Sequence, residues 1–101
     1  MAWVRIAVYR LSDSEAGIER DEAVRLTRES AVPLVRGLAG FVDYELVEVG
    51  DAFMAISHWQ SREHAEAMAE PHEAWRQAEA PALPRPAAVY IGEVVIPRQG
   101  S

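Results

Sequence analysis

Trp3 to Leu11 reads Trp-Val-Arg-Ile-Ala-Val-Tyr-Arg-Leu, a mildly alternating run rich in β-branched and aromatic residues, and predicts a strand. Ser12-Asp13-Ser14 offers N-cap side chains for a helix that follows. In that helix Val24, Thr27, Ala31, Leu34, Val35 and Leu38 recur at three- and four-residue steps and make one buried stripe. Asp21 with Arg25 and Arg25 with Glu29 pair at i,i+4 on a solvated face. Pro33 kinks or restarts this helix, and Gly37 and Gly40 supply its exit. Phe41–Val49 and Ala52–Gln60 predict two further strands joined by a tight Gly50-Asp51 turn. Ser61 caps a helix from Arg62 to about Ala69, which Pro71 interrupts before a further stretch from His72 to Ala80. Pro81, Pro84 and Pro86 form a stiff connector, and Ala87–Ile96 is the last strand, stopped by Pro97.

The order β-α-β-β-α-β predicts an α+β fold of ferredoxin-like type, a four-stranded antiparallel sheet with helices on one face. Residues 1–97 are expected to form one domain, with 98–101 a mobile tail. The second face of the sheet includes Met54 and Ile56, too apolar to leave wet, so a second copy is its expected cover and the chain is expected to be a homodimer.

A two-residue loop at Gly50-Asp51 fixes the hairpin register. Tyr44 falls opposite Ser57, Leu46 opposite Ala55 and Val42 opposite Trp59, on a face shared with Phe53 that the helices cover. On the other face Asp43 falls opposite His58 and Glu45 opposite Ile56. Tyr44, Ser57 and Trp59 thus lie beneath the second helix, which carries Met68, His72 and Trp75. Such a set packs as an aromatic core or forms a pocket whose apolar walls, with Tyr44, Ser57 and His72, orient a flat ligand. Asp43 and His58 read as a cross-strand ion pair, with a proton relay as the alternative.

Composition narrows the chemistry. The chain has no Cys, and its ten basic residues are all Arg, which removes thiolate nucleophiles, Cys-ligated metals and Schiff-base lysines. A net charge of −6 without an Arg stripe argues against nucleic acid as a partner. No apolar run reaches the ~18 residues of a membrane span, and the N-terminal residues do not read as a signal peptide, so a cytoplasmic location is expected. His58, His64 and His72 lack the carboxylate spacing of a metal site, and none is expected.

From Trp59 onward the chain resembles the antibiotic biosynthesis monooxygenase family. There the third strand typically ends acid-x-Trp-x-Ser, and a helix with a His at the position of Met68 and a following Pro-His comes next. Trp59, Ser61, Pro71 and His72 match in place, and Gly40-Phe41 with Tyr44 resembles the start of the family's second strand. Ser57 stands where the family usually has an acid and Met68 where it often has a His.

The resemblance implies a dimeric α/β barrel and a cofactor-free monooxygenase acting on an electron-rich aromatic or quinol-type molecule. His72 would be the base, Tyr44 and Ser57 hydrogen-bond donors, and Trp59, Phe53, Met68 and Trp75 the substrate-binding walls. Haem-degrading relatives of this fold use an Asn, a Trp and a haem-ligating His. This chain has no Asn, and Met68 and Ala78 stand at the other two positions, so haem is not expected. The missing acid and His leave two alternatives open: a non-catalytic module for small hydrophobic ligands or dimerisation, and an isomerase or cyclase.

Overall fold

The computed structural model describes residues 2–100; Met1 and Ser101, the two ends of the expected domain and tail, lie outside the described residues. Strand β1 spans Trp3–Arg10 and ends in a short 3₁₀ turn over Leu11–Asp13. The first helix begins at Arg20, not after Ser12-Asp13-Ser14, and its N-cap Glu19 makes no side-chain cap. Ser14 is used otherwise: its hydroxyl accepts from Ile18 N–H at 3.2 Å and donates to the Ala82 carbonyl at 2.6 Å, tying the loop to the proline connector.

The helical rod runs as α1 (Arg20–Leu26), a π-turn over Thr27–Ala31, and α2 (Val32–Arg36). Pro33 explains the change of pitch. It has no N–H to give the carbonyl of Glu29, and next to it the Val32 N–H reaches back five residues to Thr27. The solvated side carries Arg25 bonded to both Glu22 and Glu29, whereas Asp21 pairs with Arg20.

Strands β2 (Phe41–Val49) and β3 (Ala52–Trp59) form the hairpin in the expected register, with Tyr44 opposite Ser57, Leu46 opposite Ala55 and Asp43 opposite His58. At its far end the expectation fails. Phe41, not Val42, lies opposite Trp59, because a bulge inserts Val42, which is 51% exposed. The Phe41 ring instead meets Trp59 edge-on, with 5.8 Å between centroids.

Ser61 caps α3 (Arg62–Ala67) by accepting from His64 N–H at 3.1 Å. The break comes before Pro71, not at it. Pro71 has no N–H for the carbonyl of Ala67, so α3 ends there and α4 (Ala69–Glu79) holds Pro71 in its first turn. After the proline connector, β4 covers Ala88–Glu93, shorter than expected.

The sheet order is β2-β3-β1-β4, all neighbours antiparallel, with the helices on one face. Val35 of α2, Ala65 of α3, Met68 and Trp59 form the main core, flanked by Trp3, Phe41 and Ile91. Among the described residues no helix is long and apolar enough to cross a membrane.

Candidate functional site

Between the helical layer and the sheet lies a narrow cleft, part of it open to solvent. The sheet contributes Tyr9, Tyr44, Leu46 and Phe53. Thr27 and Ala31 come from the π-turn, His72, Trp75 and Arg76 from α4, and Leu83 and Pro84 from the connector. Trp75 is held by a 2.7 Å bond from its indole N–H to the Ser30 hydroxyl, which ties α4 to the π-turn. Arg76 donates to the Leu83 carbonyl at 2.9 Å and so pins the connector across the opening.

Of the residues picked out from the sequence, His72, Tyr44, Phe53 and Trp75 meet in this cleft. Ser57 and Trp59 share the same sheet face but, with Met68 of the α3–α4 junction, lie in closed packing beside the cleft, each no more than 1% exposed. The Trp59 indole N–H donates to Ser57 Oγ at 2.9 Å, and that hydroxyl has only the Met68 sulfur at 3.7 Å and the Arg5 carbonyl at 3.5 Å left to meet. The Ser57 hydroxyl is therefore spent inside the core.

His72 is the polar centre of the cleft. Its ring lies 5.3 Å from that of Trp75 and 6.5 Å from that of Tyr9, centroid to centroid. Burial first, and the positive charge of Arg5 next, push its pKa down to about 4. At neutral pH it is an uncharged imidazole with a lone pair to offer. Burial raises the pKa of Tyr44 and, against the opposing pull of Arg5, that of Tyr9, so both hydroxyls stay protonated donors. No hydrogen bond contributes to the shifts of His72 or Tyr44, so these groups are not spent on each other.

The other two histidines lie elsewhere. His58 Nδ1 meets Asp43 Oδ1 at 2.6 Å on the opposite sheet face, with the Arg98 guanidinium 3.8 Å from the other Asp43 oxygen. His64 bonds Ser61 Oγ through Nδ1 at 2.8 Å, and its ring lies against Gly40 so closely that a Cβ there would fall 2.2 Å from the ring. Gly40 also holds φ +79°, so the position admits glycine alone. Among the described residues no group of three His, Cys, Asp or Glu side chains could hold a metal ion. Ala78 is exposed on α4 and has no donor atom.

Two residues of this region escaped the sequence reading, Tyr9 and Arg5. The signal was present: in β1, positions 3, 5, 7 and 9 alternate onto one face, and pairing with Trp59, Ser57, Ala55 and Phe53 makes it the helix-covered one. A charged residue at such a position is the informative exception.

No family model and no curated protein matches the sequence. Solved structures do match. A monooxygenase from the gene ActVA-Orf6 of Streptomyces coelicolor, solved with nanaomycin D, superposes with a TM-score of 0.69 at 15% identity, over 99% of this chain and 93% of that one. A candidate antibiotic biosynthesis monooxygenase from Chloroflexus aurantiacus superposes with a TM-score of 0.62 at 16% identity, over 100% of this chain and 97% of that one. This chain shares the antibiotic biosynthesis monooxygenase fold. A variant of MhuD carrying two manganese protoporphyrin IX molecules per active site shares it too, with a TM-score of 0.66 at 24% identity over 99% and 100% of the two chains. At these identities the monooxygenase fold is established for this chain, and its chemistry has to be argued from its own residues.

Proposed function

We propose that this chain is a member of the antibiotic biosynthesis monooxygenase family that oxidises an electron-rich aromatic or quinol-type molecule with dioxygen and without a cofactor. The observation that carries the proposal is the neutral His72 imidazole, which lines an aromatic-walled cleft together with two protonated tyrosine hydroxyls. A quinol or anthrone that loses a proton to His72 becomes an anion able to reduce dioxygen itself. The protein then supplies the base, donors for the developing oxyanion and shelter from water. Tyr44 and Tyr9 are the donors of this scheme, Trp75 and Phe53 its walls, and Ser57, Trp59 and Met68 its supporting core.

The test is dioxygen uptake by the metal-stripped protein given reduced quinols and anthrones. Replacing His72 by Ala is expected to lower uptake by about 10²–10⁴-fold, the usual weight of a positioned general base. Uptake unchanged in that variant would sink the assignment. The cleft lining lacks a carboxylate, and this favours a second reading as a binding module for a flat hydrophobic ligand. Ligand bound and recovered unchanged, with no uptake across the panel, is its expected signature. Proton exchange without dioxygen uptake would mark an isomerase or cyclase.

The uncovered sheet face supports a homodimer. Val4, Ile6, Val8, Met54, Ile56 and Tyr90 lie side by side across β3, β1 and β4, and Tyr90 is 62% exposed. A second copy stacking the same face on this one gives a closed, self-complementary barrel. Sedimentation is expected to give about twice the 11.2 kDa chain mass, and Ile56→Asp, which sets a charge amid that face, is expected to give the monomer. A monomeric wild-type protein would refute the dimer.

A further inference from the structure

A guanidinium in a protein interior is ordinarily met by a carboxylate, because an ion stripped of water and left unpaired is costly. Arg5 is not so met. It is 4% exposed, its Nε has no partner, its Nη1 reaches the Met68 sulfur at 3.8 Å, a weak acceptor, and its other polar side-chain neighbour is the uncharged Tyr9 hydroxyl. Glu73, which lines the same depression, is engaged by Arg76 at 2.5 Å and by Arg85 at 3.3 Å. These residues line one depression with His72 and Val89, so three guanidinium groups and one carboxylate face it in a chain whose net charge is −6. The depression adjoins the aromatic cleft, and His72 and Arg76 belong to the walls of both.

We propose that this depression binds the carboxylate of an aromatic acid whose ring lies in the cleft, and that Arg5 is the residue that recognises it. The proposal rests on the cleft being a ligand site, as argued above. Arg76 is paired with Glu73 and Arg85 is 72% exposed to water, so Arg5 is the one buried charge without a counter-ion, which matches a monoanion. The planar guanidinium fork of Arg5 fits the two oxygens of a carboxylate. Neutralising Arg5 would also remove one of the two main causes of the low His72 basicity, so ligand binding would strengthen the base.

Calorimetric titration at pH 7 with 1-naphthoate and with the uncharged 1-naphthamide tests this. Wild-type protein is expected to bind the acid at least about tenfold more tightly than the amide, as a charge-assisted hydrogen bond provides. Arg5→Met is expected to bring the ratio to about one, and Arg5→Lys to keep part of it. Without ligand, Arg5→Met is expected to melt above wild type, which shows the variant folded and the buried charge costly. Equal binding of acid and amide by the wild type overturns the anion site alone, as does a preference that survives in Arg5→Met. Tighter binding of 1-naphthyl phosphate than of 1-naphthoate overturns the choice of a monoanion. Failure of all three compounds to bind overturns the cleft as a ligand site as well.

Discussion

Trp59→Ala is expected to lose about 3–5 kcal/mol of folding stability, the usual result of emptying a buried tryptophan site. Trp59 is fully buried, packs among Val35, Ala65 and Met68, and meets the Phe41 ring edge-on. Its indole N–H also satisfies the buried Ser57 hydroxyl, which the substitution would strand. A domain of this length commonly holds only ~5–15 kcal/mol in total, so the variant should sit near the edge of folding. Urea unfolding followed by circular dichroism measures this as a fall in midpoint. A midpoint within about 1 kcal/mol of wild type would mean that the site collapses around the gap. The resemblance assigned this Trp to substrate, yet a loss of turnover in Trp59→Ala would report on the fold. His72→Ala, at a partly exposed position of the cleft, isolates the chemistry.

The second large effect is a loss of stability in mild acid. In the unfolded chain His72 takes up its proton near 6.5, whereas in the folded chain it does so only at about 4. Between those values the unfolded state binds more protons, so stability falls as pH drops. Above pH 6.5 neither state is charged at this residue and it costs nothing. Below about 4 the full penalty applies. The interval corresponds to roughly 2–3 kcal/mol, allowing for the solvent that reaches a partly exposed ring. Urea midpoints measured from pH 7.5 to 4 should therefore decline, and the decline should shrink in His72→Gln, which never charges. An equal slope in both proteins would place the acid sensitivity elsewhere.

Much of the architecture was legible because short-range rules decided it. A two-residue turn leaves one register, so Tyr44, Leu46 and Asp43 find their partners from the position of Gly50-Asp51 alone. The bulge at Val42 was not legible, since an extra residue at a strand end carries no compositional mark and is set by the fit of Phe41 on Trp59. The start of the first helix at Arg20 was hidden for a related reason. Ser14 has the chemistry of a cap but spends its hydroxyl on Ile18 and on Ala82, sixty-eight residues away. Pro71 marked a helix break correctly in kind but not in place, because the missing N–H is felt four residues earlier, at Ala67.

The candidate site divided along similar lines. Strand alternation tells which residues share a face, and it placed Tyr44, Phe53, Ser57 and Trp59 together. It does not tell how deeply the helices fill the space above each of them. The π-turn, Trp75 and the proline connector leave a gap over Tyr44 and Phe53, while Val35, Ala65 and Met68 close it over Ser57 and Trp59.

The two margins of the sheet are unlike, and this bears on how copies of the chain can go wrong. The β2 margin is broken by its bulge and studded with Asp43, Glu45 and Glu48, so an incoming backbone would meet an interrupted ladder and repulsive charge. Along the six residues of the β4 margin the only charge is Glu93 at its end, and Val89 and Tyr90 stand 42% and 62% exposed on it. Strand addition, the first step of domain exchange and of fibril growth, therefore has one open side in this molecule, and its shortness is what keeps that side in check.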